Sequence, residues 1–327
     1  MRGPAVPARS RRRMFVALTA TLTVLLAGCG GSSGSSENAS GRTTVTVGVI
    51  PIVDVAPIYL GIKQGFFAAQ GLDLKLQTAQ GGAAIVPGVV SNQYQFGFSN
   101  TTSLLLATSK GLPLKVVSAG VASTGKPGAD FGAVVVKKDS PIRTAADLAG
   151  KRVAVNTLQN INTTTVNKAV RDGGGDPSGI SYTELAFPDI IPALTKGDVD
   201  AGQVVEPFLT IAKQQGMREV TSNYAVTDPN LMIGMYFTSQ SYAQKNTKVV
   251  QEFTAAMKQS LAYADGHPED ARAILSTYTK LDPGVQKAVT LPKWPSEVPQ
   301  EAVTVLAELA VQDKLFASVP DLSKLLP

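Results

Sequence analysis

Five short polar segments of this chain, residues 51–56, 80–84, 99–102, 156–160 and 205–207, carry its candidate chemistry. Asp54 stands three residues before Pro57, and Glu206 directly precedes Pro207. Gly81, Gly82, Ser99, Asn100, Thr101, Asn156, Gln159 and Asn160 supply the rest. These side chains are suited to holding a molecule rather than transforming it. Carboxylates accept hydrogen bonds, primary amides both donate and accept, hydroxyls do either, and glycine lets backbone approach closely. The five segments contain no Lys, Arg or His. Two carboxylates without a cation suit a ligand rich in N–H donors, such as an amine or an aminopyrimidine. An anion would have to be held by helix N-termini, which need no formal charge. Two residues have a second reading each: Asp54 as a helix cap, Glu206 as support for the fold.

Catalysis finds little to work with. His267, the sole histidine, precedes Pro268 in a helix-start context and reads as a solvated loop residue. One histidine and one cysteine cannot assemble a metal site, so neither a metal nor a cofactor is expected. Gly97-Phe98-Ser99-Asn100-Thr101 lacks the second glycine of a nucleophile elbow. Gly173-Gly174-Gly175 follows a helix instead of opening one, so it ends that helix and does not cradle phosphate. Trp294, between Lys293 and Pro295, reads as a packing residue, with stacking on a ligand ring as the alternative.

The lone Cys29 ends the run Leu25-Leu26-Ala27-Gly28-Cys29, after an arginine-rich head and an apolar stretch from Met14. Order, spacing and position resemble a bacterial lipobox, so residues 1–28 are read as a lipoprotein signal peptide and Cys29 as the lipidated N-terminus. The apolar stretch is shorter than the ~20 residues that span a bilayer. Arg12-Arg13 also fits a twin-arginine export signal, and an ordinary charged head fits equally. Residues 29–42 form a Gly/Ser-rich tether with a mean reach of roughly 20 Å. The five arginines of residues 1–28 account for the whole formal charge of +5, so the rest of the chain is balanced. That removes the basic face which nucleic-acid binding requires.

These side chains need elements to position them. The 285 residues from Thr43 onward exceed one typical core, so two lobes are expected. Strands are read at 43–50, 72–76, 95–98 and 114–121, with helices at 56–68, 82–92 and 101–109. The rhythm restarts with strands at 131–136, 152–155, 180–185 and 199–205. Between them lie a helical turn at 144–150 and helices at 163–171, 188–196 and 207–215. Helices at 247–265, 268–279 and 298–313 close the chain. Alternation of this kind implies parallel sheets with helical cover. The chain is expected to cross between lobes near 121–131 and 222–236. This gives lobe I as 43–122 with 234–327, and lobe II as 123–233. The five polar segments then sit at the carboxyl ends of strands, where open α/β sheets bind ligands.

Several of these stretches resemble a known family when taken in order: 48–51 (Gly-Val-Ile-Pro), 56–67 (Ala-Pro-Ile-Tyr-Leu-Gly-Ile-Lys-Gln-Gly-Phe-Phe), 70–74, 139–142, 147–155, 197–201 and 205–208. The sequence is similar to the solute-binding proteins of ABC importers in the nitrate/sulfonate/taurine and thiamine-pyrimidine-precursor family, over roughly 45–315. The resemblance implies an α/β protein of the type II periplasmic-binding-protein fold, with two lobes, a ligand cleft and hinge closure. It also implies a monomer outside the cell membrane that hands a small molecule to a permease and its ATPase. An anion binder of the same fold and a sensor serving a receptor kinase share every residue named. A fungal pyrimidine synthase shares the fold too, but its cysteine cluster and catalytic histidine have no counterpart here, so a binder and no enzyme is expected.

Overall fold

The structure is a computed structural model that describes residues 41–327 and Gly3. The candidate signal peptide, its arginine pair, Cys29 and nearly all of the tether lie outside the described residues.

Two five-stranded sheets form the body. The first half of the chain supplies β1 (Thr43–Val49), α1 (Ala56–Lys63), α2 (Phe66–Ala69), β2 (Leu72–Thr78), α3 (Gly82–Val90), β3 (Phe96–Asn100), α4 (Thr101–Ser109) and β4 (Leu114–Ala122). Then follow β5 (Gly132–Val136), β6 (Arg152–Val155), α5 (Ile161–Asp172), β7 (Ser181–Glu184), α6 (Phe187–Lys196), β8 (Ala201–Val205), α7 (Phe208–Gln214) and β9 (Arg218–Thr221). The return comprises α8 (Asn223–Thr227), β10 (Met232–Ser239), α9 (Gln240–Lys245), α10 (Thr247–Gly266), α11 (Pro268–Ile274), α12 (Pro283–Ala288), α13 (Gln300–Gln312) and α14 (Leu322–Leu325).

Strand order is β2-β1-β3-β10-β4 in the first sheet and β7-β6-β8-β5-β9 in the second. The two orders are alike. In each, the fourth place belongs to the first strand formed after the chain arrives from the other lobe: β5 after the outward crossing, β10 after the return. Both run antiparallel to their neighbours, while β1 pairs in parallel with β2 and β3, and β6 with β7 and β8. The sheets are therefore mixed, not parallel as the βα rhythm implied. The return crossing is also shorter than 222–236, because Asn223–Thr227 is helical and β10 begins at Met232. Leu231 to Ser239 has the aromatic and β-branched character of a strand, interrupted by Gly234.

The 56–68 helix is two helices, broken where Gly65 adopts φ +78°. Helix α11 stops at Ile274 and a single tighter turn, Leu275–Thr277, follows it. Helix α10 lies along α1 and against β4, burying Phe253, Met257 and Leu261. Helix α13 packs on both α4 and α5, and so touches both lobes. No helix among the described residues is long and apolar enough to cross a membrane.

The two crossings are tied together. Asp130 accepts hydrogen bonds from Ser123 Oγ (2.6 Å), Thr124 N (2.9 Å) and Phe131 N (2.9 Å). Gly128 N donates to Ser222 Oγ (2.8 Å), and Ser123 N to Leu231 O (3.0 Å).

Candidate ligand cleft

The carboxyl ends of β1, β3, β6 and β8 meet between the lobes. Hydrogen bonds cross there, among them Ile161 N to Asn100 Oδ1 (3.3 Å), Gln80 Nε2 to Asn156 O (3.5 Å) and Val53 N to Glu206 O (3.1 Å). Beneath them lies an inner cavity of about 20 Å³. Its polar lining is Asp54, Asn100, Asn156, Asn160, Asn162 and Tyr224. Ile50, Ile52, Phe98 and Phe187 form apolar wall. An outer cavity of about 340 Å³ shares Ile50, Ile52 and Phe187, and adds Thr78, Gln80, Pro188 and Phe208. Neither cavity is lined by Lys, Arg or His.

Asp54 sits in a single helical turn, Val53–Val55, between β1 and α1, and is 3% exposed. It makes no side-chain cap, so the reading as a helix cap fails. Its Oδ1 has no hydrogen-bond partner. Burial pushes its carboxyl up to about 7; a hydrogen bond to its own backbone opposes the shift and the charge of Asp130 adds to it. The buried phenols of Tyr236 and Tyr278 lie near enough to feel the Asp54 charge, and each is pushed upward, mainly by burial. Tyr278 stacks on Tyr59 at 3.9 Å and donates to Ile52 O (3.1 Å).

The amides form one network. Asn160 caps α5, its Oδ1 accepting from Asn162 N (3.0 Å) and Thr163 N (3.3 Å). Its Nδ2 donates to Asn156 Oδ1 (2.8 Å), which also accepts from Asn162 Nδ2 (2.8 Å). Tyr224 OH donates to Asn162 Oδ1. Asn100 caps α4 through Ser103 N (2.9 Å) while receiving Ile161 N from the other lobe. A residue that caps one helix thus also docks on the first turn of another.

Of the expected residues, Asp54, Asn100, Asn156 and Asn160 line the inner cavity; the other six do not. Glu206 is 1% exposed, and its carboxylate is occupied by the protein: Oε2 accepts from Thr210 N (3.0 Å), Oε1 from Thr210 Oγ1 (2.8 Å) and Thr290 N (3.0 Å). It joins the start of α7 to the segment after α12, which is the supporting role. Thr101 donates to Met232 O (2.5 Å), and Ser99 lies under Gly82, where a Cβ would come within 2.1 Å of Ser99 Oγ. Gly81 faces the second lobe, its hypothetical Cβ 2.6 Å from Thr157 Cγ2. Gln159 is exposed, with φ +51°. Trp294 is buried and donates to Asp54 O (3.3 Å), the packing role. His267 is exposed and stacks on Tyr263 at 3.9 Å, outside the cleft.

Asn162 and Tyr224 were missed. The run from Asn160 to Thr165 does carry a signal, because it opens a helix with polar residues on every face, including the one that must be buried. Tyr224 has none, since the return crossing brings it to the cleft from far along the chain.

Comparison with known proteins places this geometry in a class. The profile of the NMT1/THI5-like family matches residues 52–271, more than half of the chain, and the chain belongs to that family. A protein of Escherichia coli named for binding aliphatic sulfonates is 30% identical over 151 residues, 46% of each chain. The formylaminopyrimidine-binding protein of Halalkalibacterium halodurans is 22% identical over 271 residues, 81% of this chain and 79% of its own. An enzyme is also among the relatives: the 4-amino-5-hydroxymethyl-2-methylpyrimidine phosphate synthase of Aspergillus parasiticus, 25% identical over 232 residues, 66% of this chain and 64% of its own. The alkanesulfonate-binding protein SsuA of Xanthomonas axonopodis pv. citri, solved with MOPS, superposes with a TM-score of 0.70 at 18% identity, over 85% of this chain and 94% of that one. The fold is that of periplasmic binding proteins, and the chain is a relative of solute-binding proteins.

Proposed function

We propose that the protein is the extracytoplasmic binding component of an ABC importer and captures a small organic molecule through an N–H-donating group. The observation that carries the ligand class is Asp54: a buried carboxyl at the cleft with an unpartnered oxygen and no cation in the lining. An unpaired buried acceptor is costly, and a hydrogen bond to a charged group contributes about 1.5–3 kcal/mol. The Asn156 Nδ2, which makes no hydrogen bond of its own, would add a donor for an acceptor on the same ligand. The names of the sulfonate-binding relatives favour a second reading, an anion held by the N-termini of α4 and α5. The binding reading is preferred to a catalytic one because the lining offers a carboxylate and amides but no histidine or cysteine.

A thermal-shift screen over primary amines, aminopyrimidines, alkanesulfonates and nitrate, followed by calorimetry on the best binder, tests this. An N–H donor should bind, Asp54→Asn should weaken it at least tenfold, and Glu206→Gln should change its Kd less than threefold while lowering stability. Micromolar binding of an alkanesulfonate that survives Asp54→Asn would replace this reading with the second. Membrane attachment through Cys29 belongs to the same proposal, supported by the Leu-Ala-Gly-Cys ending. Cys29→Ser should then release the protein from the membrane fraction into the medium; equal fractionation of both forms would rule the anchor out.

A further inference from the structure

The cleft is not one cavity but two in series, and they differ in size and character. The inner one holds about 20 Å³, room for a single water-sized group. It is also where the polar side chains converge, with Asp54 on one lobe and the Asn156–Asn160–Asn162 network on the other. The outer one, about 340 Å³, reaches the lower range of small-ligand sites. Its walls are Ile50 and Ile52 from the first lobe and Phe187 and Phe208 from the second, the two rings nearly parallel with centroids 6.0 Å apart. Thr78 and Gln80 are its only polar side chains. The two cavities share Ile50, Ile52 and Phe187 and are therefore adjacent.

We infer that the ligand is bipartite: a compact amino or ammonium head of one heavy atom, seated at Asp54 in the inner cavity, joined to an apolar chain or ring lying between Ile52 and Phe208 in the outer one. This rests on the proposed binding function and narrows its ligand to amphipathic amines. At about 20 Å³ the inner cavity favours a head smaller than a heterocycle or a sulfonate group. The outer walls offer no charged partner for the tail.

The probes are methylamine, n-propylamine and n-pentylamine, with 1,4-diaminobutane as a chain of similar length carrying a second charge. Affinity for the purified chain is measured by calorimetry and thermal shift at pH 8. Each methylene buried in the outer cavity should tighten binding about fourfold. The diamine should bind at least tenfold more weakly than n-pentylamine. Phe208→Ala should flatten the chain-length series while leaving methylamine unchanged, and Asp54→Asn should weaken every amine alike.

A flat series, or a diamine as tight as n-pentylamine, overturns the bipartite ligand and leaves the N–H-donor reading standing. n-Alkanesulfonates tightening with length while no amine binds would overturn the amine head and the proposed ligand class together. No binding by any amine or sulfonate would overturn both. The diamine comparison uses the unaltered chain, so it decides the matter even if Phe208→Ala fails to fold.

Discussion

Asp54 and Glu206 look alike in the sequence and do opposite things. Glu206 is as buried as Asp54 and is also pushed upward by burial, but three hydrogen bonds from Thr210 and Thr290 oppose the shift. Asp54 has only a hydrogen bond to its own backbone to oppose it, and its carboxyl rises to about 7. The folded chain therefore retains a proton that the unfolded chain releases near pH 3.8. Stability associated with this group is intact below that pH, erodes as pH rises towards 7, and is lost above it. The shift corresponds to at most about 4 kcal/mol. Asp54→Asn should accordingly raise the unfolding free energy of the ligand-free chain at pH 8 and leave it nearly unchanged at pH 4. Urea titrations at the two pH values check this, and an equal effect at both would refute the assignment. Both carboxylates were legible as polar residues at strand ends. Their difference was not, because Glu206's partner Thr290 lies 84 residues away and only the folded return brings it near.

At the scale of elements, the strands and helices of the two βα runs follow closely from their apolar periodicity and their Gly and Pro punctuation. The strand that was missed, β10, lies in the interior of the first sheet, between β3 and β4. It was hidden because Gly234 interrupts its pattern and because the segment falls where a crossing was expected. That glycine is required by packing. A Cβ on Gly234 would stand 2.5 Å from Phe98 Cζ and 3.2 Å from Ser99 O, and one on Gly120 would stand 2.5 Å from Gly234 O. Phe98 in turn lines the inner cavity. Gly234→Ala should therefore lower stability by about 1–3 kcal/mol, the usual range for overpacking, and weaken ligand binding with it. Chemical denaturation beside calorimetry reads both quantities; an unchanged midpoint would show that the strand accommodates the methyl group. The mixed character of the sheets was illegible for a related reason. Sequence alternation gives the order of strands and helices, but not which strand has arrived from the other lobe.

The whole molecule is two lobes with several ties. The crossings meet at Asp130 and Ser222, hydrogen bonds span the cleft, and the Arg171–Asp313 pair (2.7 Å) fastens α5 to the end of α13. The inner cavity admits one water-sized group, so a larger molecule must enter while the lobes stand apart. Closure on a ligand is accordingly expected as a hinge motion at 123–131 and 222–231, selected by differential contact with the closed form. Small-angle scattering should give a larger radius of gyration for the ligand-free chain than for this structure, and the two should converge at saturation. A radius that does not change when a verified ligand saturates the protein would rule out closure.

The first sheet takes its fourth strand, β10, from beyond the return crossing, whereas the strands of the second are continuous in sequence, and this governs how the molecule can be divided. Strand β4 is joined to its sheet only through β10. A polypeptide ending before Met232 would leave β3 and β4 with bare edges, the template on which chains pair with one another. The first lobe is thus not a separable module, and it cannot be completed until nearly three quarters of the chain is available. The first sheet reaches its native pairing only through contacts distant in sequence, those of β10 with β3 and β4, the slow route in folding. Such a chain resists being cut, shuffled or grafted at the lobe boundary where its outline invites it.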